Sequence, residues 1–236
     1  MKYVFGDSIS LISQEEGTVL VAFERGEERA FDFVVGADGV YSTVRRLAFG
    51  PHPEFVRHLG MSGVGFTTAN YLGLERRGVL HSAPGQAAYV FSAGDAERMT
   101  VSLSFATDSP DIDLLDRDRQ QEIARERLAG AGWEVPRLLH EMTAADDFLF
   151  SSACQVQLDR WSEGRVVLVG DAGYCAAPTS GMGTSQALIG AHSLARHLAG
   201  SPGDHTAAFH AYEEEVRPYV TENQKHGREA VAMFGG

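Results

Sequence analysis

Apolar positions change their period several times along the chain, and each period predicts an element. Val19, Val21 and Phe23 alternate before the turn-forming Arg25-Gly26-Glu27, so the chain opens on a meander of strands. Phe31-Asp32-Phe33-Val34-Val35 is apolar at nearly every position, as in a strand buried on both faces, and stops at Gly36-Ala37-Asp38-Gly39. From about Pro51 to Ala106 the texture becomes Gly- and Ser-punctuated. Met99, Val101, Leu103 and Phe105 alternate there with Thr100, Ser102 and Ser104, which gives one dry and one polar face. The turns Ala83-Pro84-Gly85 and Ala93-Gly94-Asp95 fall at hairpin intervals and predict an antiparallel sheet.

Helical spacing follows. Asp116 to Ala129 is free of Gly and carries Ile123, Ala124 and Leu128 on one side, and a shorter helix is expected around Arg137 to Met142. Cys154, Val156 and Leu158 alternate as a strand, and Arg165-Val166-Val167-Leu168-Val169 repeats the buried strand that ends in glycine and aspartate. Two helices close the pattern: one from about Thr184 to Ala199, with Ala187, Leu188, Ala191, Leu194, Ala195 and Leu198 on a stripe, and one carrying Phe209, Tyr212, Val216 and Tyr219. The changes of texture divide the chain into one discontinuous domain, 1–50 with 151–236, and an inserted domain, 51–150.

Composition narrows the function. With 44% hydrophobic residues the chain can bury a core, and 20 basic against 32 acidic residues give a net charge of −12, which argues against an electrostatic nucleic-acid binder. Two cysteines are too few for a disulfide scaffold, and the amino terminus lacks the apolar stretch of a secretory signal. No apolar run approaches the about 20 residues of a membrane span. The expectation is a reduced, cytoplasmic protein that meets neither nucleic acid nor membrane. His192/His197 and His205/His210 are five apart, so each pair lies on different faces of a helix, and no metal site is expected. Ser62 and Ser180 fail the Gly-x-Ser-x-Gly pattern of a hydrolase elbow.

The chemistry-bearing stretch runs from Gly170-Asp171-Ala172 through Pro178 and Gly181-Met182-Gly183 to Thr184, between a buried strand and a helix. Ligands of open parallel sheets bind outside the carboxyl ends of strands, where this loop belongs. Gly181 and Gly183 let a ligand approach the backbone, the helix start favours an anionic atom, and a strand-end carboxylate suits a ribose-like diol. Cys175 in the same loop reads either as a reactive thiol or as a small filler. A second stretch, Gly36-Ala37-Asp38-Gly39 with Arg45 and Arg46, again follows a strand and offers cations to phosphate oxygens, although Asp-Gly is also a routine turn pair.

In their order these two stretches resemble the flavin-dependent aromatic hydroxylases of the para-hydroxybenzoate hydroxylase type, a group that includes tetracycline-inactivating monooxygenases. The likeness extends across most of the chain, and Tyr212-Glu213 through Arg217-Pro218 is similar to the helix that follows in such proteins. The resemblance implies an α/β fold: an incomplete FAD/NAD(P)-binding Rossmann-like domain with an inserted, mainly antiparallel β-sheet substrate domain. It places Asp38 and Gly39 at the FAD and NAD(P)H phosphates, with Arg45 as a contributor. It gives Gly170, Asp171 and Ala172 to the ribityl chain of FAD, and Pro178, Gly181, Met182 and Gly183 to the isoalloxazine ring, with Thr184 and Ser185 opening the helix. NAD(P)H would then serve as reductant, oxygen as co-substrate, and an aromatic or polyketide-like small molecule as substrate. Phe66, Tyr89, Phe91 and Phe105 are candidates for the substrate lining and equally for the core.

Such a protein is expected to begin with a strand, a Gly-x-Gly-x-x-Gly turn and a helix that hold the FAD diphosphate. Gly181-Met182-Gly183 is followed by Gln186 and Gly63-Val64-Gly65 by Thr68, so neither supplies the fingerprint. The chain is therefore expected to be a fragment, a remnant, or one half of a complementing pair, and its expected protein partner is a complementing amino-terminal chain or a homo-oligomer. Losing three or four hydrogen bonds of about 1 kcal/mol each and an adenine contact removes about 5 kcal/mol of FAD binding, roughly several thousandfold. An apolar edge is expected near the strands ending at Val35 and Val169. A catalytically silent binding or oligomerisation module is the alternative function.

Overall fold

The computed structural model describes residues 2–108 and 110–235, which form two compact units. The first comprises residues 1–57 and 154–227, the second 58–153 and 228–236.

In the first unit, β1 (Ile9–Glu15), β2 (Thr18–Phe23) and β3 (Arg29–Phe31) form the expected antiparallel meander, with Val19 and Val21 turned into the core. A separate small sheet carries the two candidate loops. Its first strand in the chain is β4 (Val34–Gly36). After helices α1 (Thr43–Ala48) and α2 (His52–Phe55), the later strands β10 (Ser162–Glu163) and β11 (Val166–Leu168) complete the order β10-β11-β4. β11 runs parallel to β4, with Val166 opposite Val34 and Leu168 opposite Gly36, and Val169 N–H donates to the Gly36 carbonyl at 2.8 Å. All three residues of β11 are buried, as its apolar run predicts.

β4 corrects one expectation. Phe31 to Val35 is not a single doubly buried strand: Phe31 ends β3, the strand is interrupted at Asp32-Phe33, and Val35 is 42% exposed while Val34 is buried. β4 is the terminal strand of its sheet, and its residues alternate: Val34 and Gly36 are buried while Val35 faces out. The apolar edge is thus present at Val35, whereas Val169 is covered.

Helices α5 (Asp171–Tyr174), α6 (Gly183–Gly200) and α7 (His205–Gly235) follow β11. Phe209, Tyr212, Val216 and Val220 of α7 enter the same core as Trp161, Tyr174 and β11. The face of α6 departs from its expected stripe. Leu194 and Leu198 turn toward the core, but Leu188 is 67% exposed, Ala191 and Ala195 are exposed, and the buried positions are Gln186, Gly190, Ser193 and Leu194. The cause is Gly190, where a Cβ would stand 1.9 Å from the Tyr174 hydroxyl, so only a bare backbone fits that contact.

The second unit is built on the five-stranded order β6-β7-β8-β5-β9, with β5 (Val56–Ala69), β6 (Gly78–Ala83), β7 (Gln86–Phe91), β8 (Arg98–Ala106) and β9 (Leu149–Val156). Met99, Val101, Leu103 and Phe105 of β8 are all buried, joined by Val64, Phe66 and Val90, and they pack with residues of α3 (Arg117–Arg127) and α4 (Val135–Ala144). Asp116 caps α3 by accepting from Arg119 N–H. Phe66 and Phe105 are core residues, while Tyr89 is 43% exposed and stacks on half-buried Phe91 at 5.3 Å on the opposite face. β9 does not alternate: Ser152 through Val156 are all buried, and Leu158 lies beyond the strand. No helix among the described residues is long and apolar enough to cross a membrane.

Candidate functional site

The first loop leaves β4 at Gly36, whose missing side chain lets Leu168 and Val44 approach within 2.7 to 2.9 Å of where a Cβ would stand. The Asp38 carboxylate accepts from Ser42 Oγ and from Val44 N–H at 3.1 Å, and Ser42 Oγ in turn accepts from Arg45 N–H at 2.9 Å. These bonds satisfy the orphan donors at the start of α1. Gly39 holds φ +86° with open space around its Cα.

Arg45 does not face solvent, as a phosphate-binding arginine at this position would. Its side chain is fully buried, and its guanidinium donates from Nη1 to the Ala172 carbonyl at 2.7 Å and from Nη2 to the Val40 carbonyl at 2.6 Å, with His52 Nδ1 at 3.2 Å. Desolvation lowers its pKa, opposed by the charge of Asp38. Arg45 therefore ties the Asp38 loop to the Asp171 loop across 127 residues of sequence. Its neighbour Arg46 is the exposed cation of the pair.

The second loop begins at Gly170, with φ +65° and ψ −143°, a conformation that excludes most side chains. Asp171 is exposed at the end of β11, whereas Ala172 through Ala177 are buried. Burial pushes the Cys175 thiol up to about 12, with Asp171 adding to the shift, so Cys175 is the small filler and not a reactive nucleophile. Pro178–Ser180 forms a short 3-10 turn that ends on Gly181 at φ +64°. α6 then starts at Gly183 with no side-chain cap and no acidic residue in its first turn. Nothing lies within 4 Å of a Cβ placed on Gly181 or Gly183, and Pro178, Thr184 and Ser185 are exposed, with Met182 half-buried.

The structure thus joins Asp38, Gly39 and Arg45 to Gly170, Asp171 and Ala172 through the arginine, and it sets the Pro178–Ser185 segment directly after them. The donor set suits FAD. An exposed carboxylate matches a polyol, the bare backbone at Gly181 and Gly183 admits a flat ring, and an uncapped helix start favours negative charge. Two cavities of about 400 Å³ and about 760 Å³ open in this unit, but only Tyr174 of the 170–185 segment lines either of them, and neither includes Asp171 or Pro178. Sequence reasoning misses Gln155, Gln186 and Gln224, which lie beneath the loop. Single glutamines within strands and helices carry no periodic signal, and only the partners reveal their work.

A family model described as FAD binding domain matches residues 10–226, a span that contains every candidate residue. The chain belongs to the family of FAD-dependent aromatic hydroxylases and monooxygenases. An uncharacterized protein of Mycobacterium tuberculosis is 42% identical over 224 residues, covering 95% of this chain and 60% of that protein. A flavin-dependent monooxygenase from an unknown prokaryotic organism is 36% identical over 94% of this chain and 58% of its own length. Among solved structures, the tetracycline destructase Tet(51) superposes with a TM-score of 0.86 at 34% identity, covering 97% of this chain and 62% of its own. The chain thus spans about three fifths of the length of these relatives. Its fold is that of the family: a Rossmann-like FAD-binding unit with a largely antiparallel sheet in the other unit.

Proposed function

We propose that this chain supplies the ribityl- and ring-binding part of an FAD-dependent monooxygenase that uses NAD(P)H and O2 on an aromatic or polyketide-like small molecule in the cytoplasm. The observation that carries the proposal is the pairing of exposed Asp171 with the uncapped, glycine-lined start of α6 inside a span matched by an FAD-binding family. When bound, the flavin supplies the redox chemistry and the activation of oxygen. The protein's part is to bind, orient and shield. The Asp171 carboxylate accepts hydrogen bonds from the polyol hydroxyls, and Gly170 and Ala172 flank it. Pro178, Gly181, Met182 and Gly183 offer an apolar and bare-backbone surface to the ring. The N–H groups of the first turn of α6, with Thr184 and Ser185, stabilise developing negative charge by about 0.3 to 2 kcal/mol.

The backbone N–H groups of the Asp38-Gly39 turn take phosphate oxygens or their waters, the Asp38 carboxylate shapes that turn by accepting from Ser42 Oγ and Val44 N–H, and Arg45 acts by holding the segment against the Asp171 loop. On the second unit, the stack of exposed Tyr89 on half-buried Phe91 is the surface for an aromatic substrate, because planar rings favour stacking on it. A complementing segment with the glycine fingerprint, or another copy of the chain, would cover the β4 edge at Val35 and the exposed Leu188 and Ile189 of α6. The same apolar surface favours a second reading, a catalytically silent binding module.

Oxygen-dependent NAD(P)H oxidation separates the two. The assay uses the chain with FAD, alone and with a supplied amino-terminal piece that carries the fingerprint, across a panel of aromatic substrates. Substrate-stimulated oxidation with labelled oxygen entering the product supports the monooxygenase. Tight association with that piece and no oxidation under any condition supports the silent module.

A further inference from the structure

Four consecutive carbonyls of the cofactor loop are each held from behind. Gln186 Nε2 donates to Tyr174 O at 2.7 Å, and Gln224 Nε2 donates to Cys175 O at 3.3 Å alongside Val156 N–H at 3.1 Å. Gln155 Nε2 donates to Ala176 O at 3.2 Å, and Ser180 donates to Ala177 O from both its N–H, at 3.1 Å, and its hydroxyl, at 2.8 Å. Two of these amides also reach across. Gln155 Nε2 donates to Gln224 O at 2.6 Å on α7, while Gln224 Nε2 donates to Val156 O at 2.8 Å on β9, so strand and helix exchange side-chain bonds under the loop. Gln186 is itself fixed by Asn223 Nδ2 at 3.0 Å, and Thr179 Oγ1 donates to Gly227 O at 2.9 Å.

The backbone held this way is strained. Ala177 sits at φ +72° and ψ 150°, a region that is essentially reserved for glycine and persists only where the surroundings over-determine it. The bed beneath it is tight, because a Cβ on Gly227 would stand 2.2 Å from Ala176 O. Gln155 and Gln186 are fully buried, and a buried amide with specific partners fixes one conformation where an apolar side chain would allow several.

We propose that Gln155, Gln186 and Gln224 are positioning residues: their amides pin the Tyr174, Cys175 and Ala176 carbonyls inward and so hold the strained Ala177 turn and the open start of α6 in the form that receives the flavin. The inference rests on the proposed flavin site, but the pinning itself is measured without flavin. In the 236-residue chain, Gln155, Gln186 and Gln224 are each replaced by Met, which keeps the length and removes the donor. Amide hydrogen exchange is followed by peptide, alongside urea denaturation.

Each variant should speed exchange in the 176–185 segment by about tenfold, the equivalent of one lost hydrogen bond, relative to the meander β1–β3. Flavin fluorescence with added FAD should show weaker quenching in the same variants. Gln224 is only half-buried, so Gln224→Met keeps the test valid if the two deeper variants fail to fold. Unchanged exchange at 176–185 overturns the proposal, and so does acceleration spread evenly over the first unit, which marks a loss of stability and not of positioning. Local acceleration in a chain that shows no FAD quenching before substitution leaves the pinning intact and refutes the flavin reading instead.

Discussion

Replacing Gly190 with alanine tests how closely α6 is fitted to the 170–182 loop. The new Cβ would lie 1.9 Å from the Tyr174 hydroxyl and 3.1 Å from its Cζ. Tyr174 has nowhere to go: it is fully buried, its ring is 4.3 Å from that of Trp161, and its hydroxyl is 3.0 Å from that of Tyr212, which donates to Leu168 O. Overpacking of this kind costs about 1 to 3 kcal/mol, a displaced tyrosine loses about 1 kcal/mol of hydrogen bonding, and alanine returns about 1 kcal/mol of helix propensity. Gly190→Ala should therefore destabilise by about 2 kcal/mol.

Tyr174→Phe alone should cost about 1 kcal/mol, since Tyr212 keeps its bond to Leu168. The clashing atom is the hydroxyl, however, so the double variant relieves the overlap and retains the helix gain. It should lie within about 0.5 kcal/mol of the parent, against about 3 kcal/mol for independent effects. Urea denaturation followed by circular dichroism, with equal m-values, measures all four proteins. Additive single effects would refute the contact and with it the reason that α6 turns Leu188 outward.

Further consequences follow from single features. Ala177→Gly removes a strained φ and should raise stability by about 1 kcal/mol, read as a higher denaturation midpoint; a lower midpoint contradicts the strain. Arg45→Met leaves the Ala172 and Val40 carbonyls without their charged donor and should cost about 3 kcal/mol, while Arg46→Met should change stability by less than about 0.5 kcal/mol. Cys175 keeps its proton more tightly in the fold than in the unfolded chain, so its contribution is complete below the ordinary thiol pKa of about 8.5 and declines as pH rises toward about 12. Cys175→Ala should flatten stability against pH above pH about 9, and native protein should react slowly with thiol reagents. His52 and His58 have pKa values lowered by burial, so their contribution is present above the ordinary histidine range and is lost as pH falls through it. His58→Phe should blunt that acid loss in denaturation midpoints taken from neutral to mildly acid pH.

Legibility of the chain tracked whether water touched one face of an element. Met99 through Phe105 alternate because β8 has a covered and an open face, and the period of two reports it directly. β11 was legible for the opposite reason, since a strand buried on both faces needs only apolar residues. β4 was not, because three residues at a sheet edge are too few to show a period. α6 misled because small and apolar residues occur around much of its circumference. The packed face was chosen by Gly190 under Tyr174 and by polar groups that find partners, Gln186 with Tyr174 O and Ser193 with Glu215. Arg45 reads as a free cation in sequence, and one of its two carbonyl acceptors lies 127 residues away. Gly170 of the second loop is legible because its φ of +65° favours glycine, whereas the glutamines that hold that loop depend on contacts made only after folding.

Equilibrium dialysis of FAD against the chain, Asp171→Ala and Gly183→Val addresses the flavin site most directly. Asp171 is exposed and the space at Gly183 is open, so neither change should disturb folding by itself. The account predicts that the parent binds FAD and that each variant weakens binding by about tenfold or more, the size of one charge-assisted hydrogen bond or one blocked approach. Equal FAD affinity in all three proteins would contradict it.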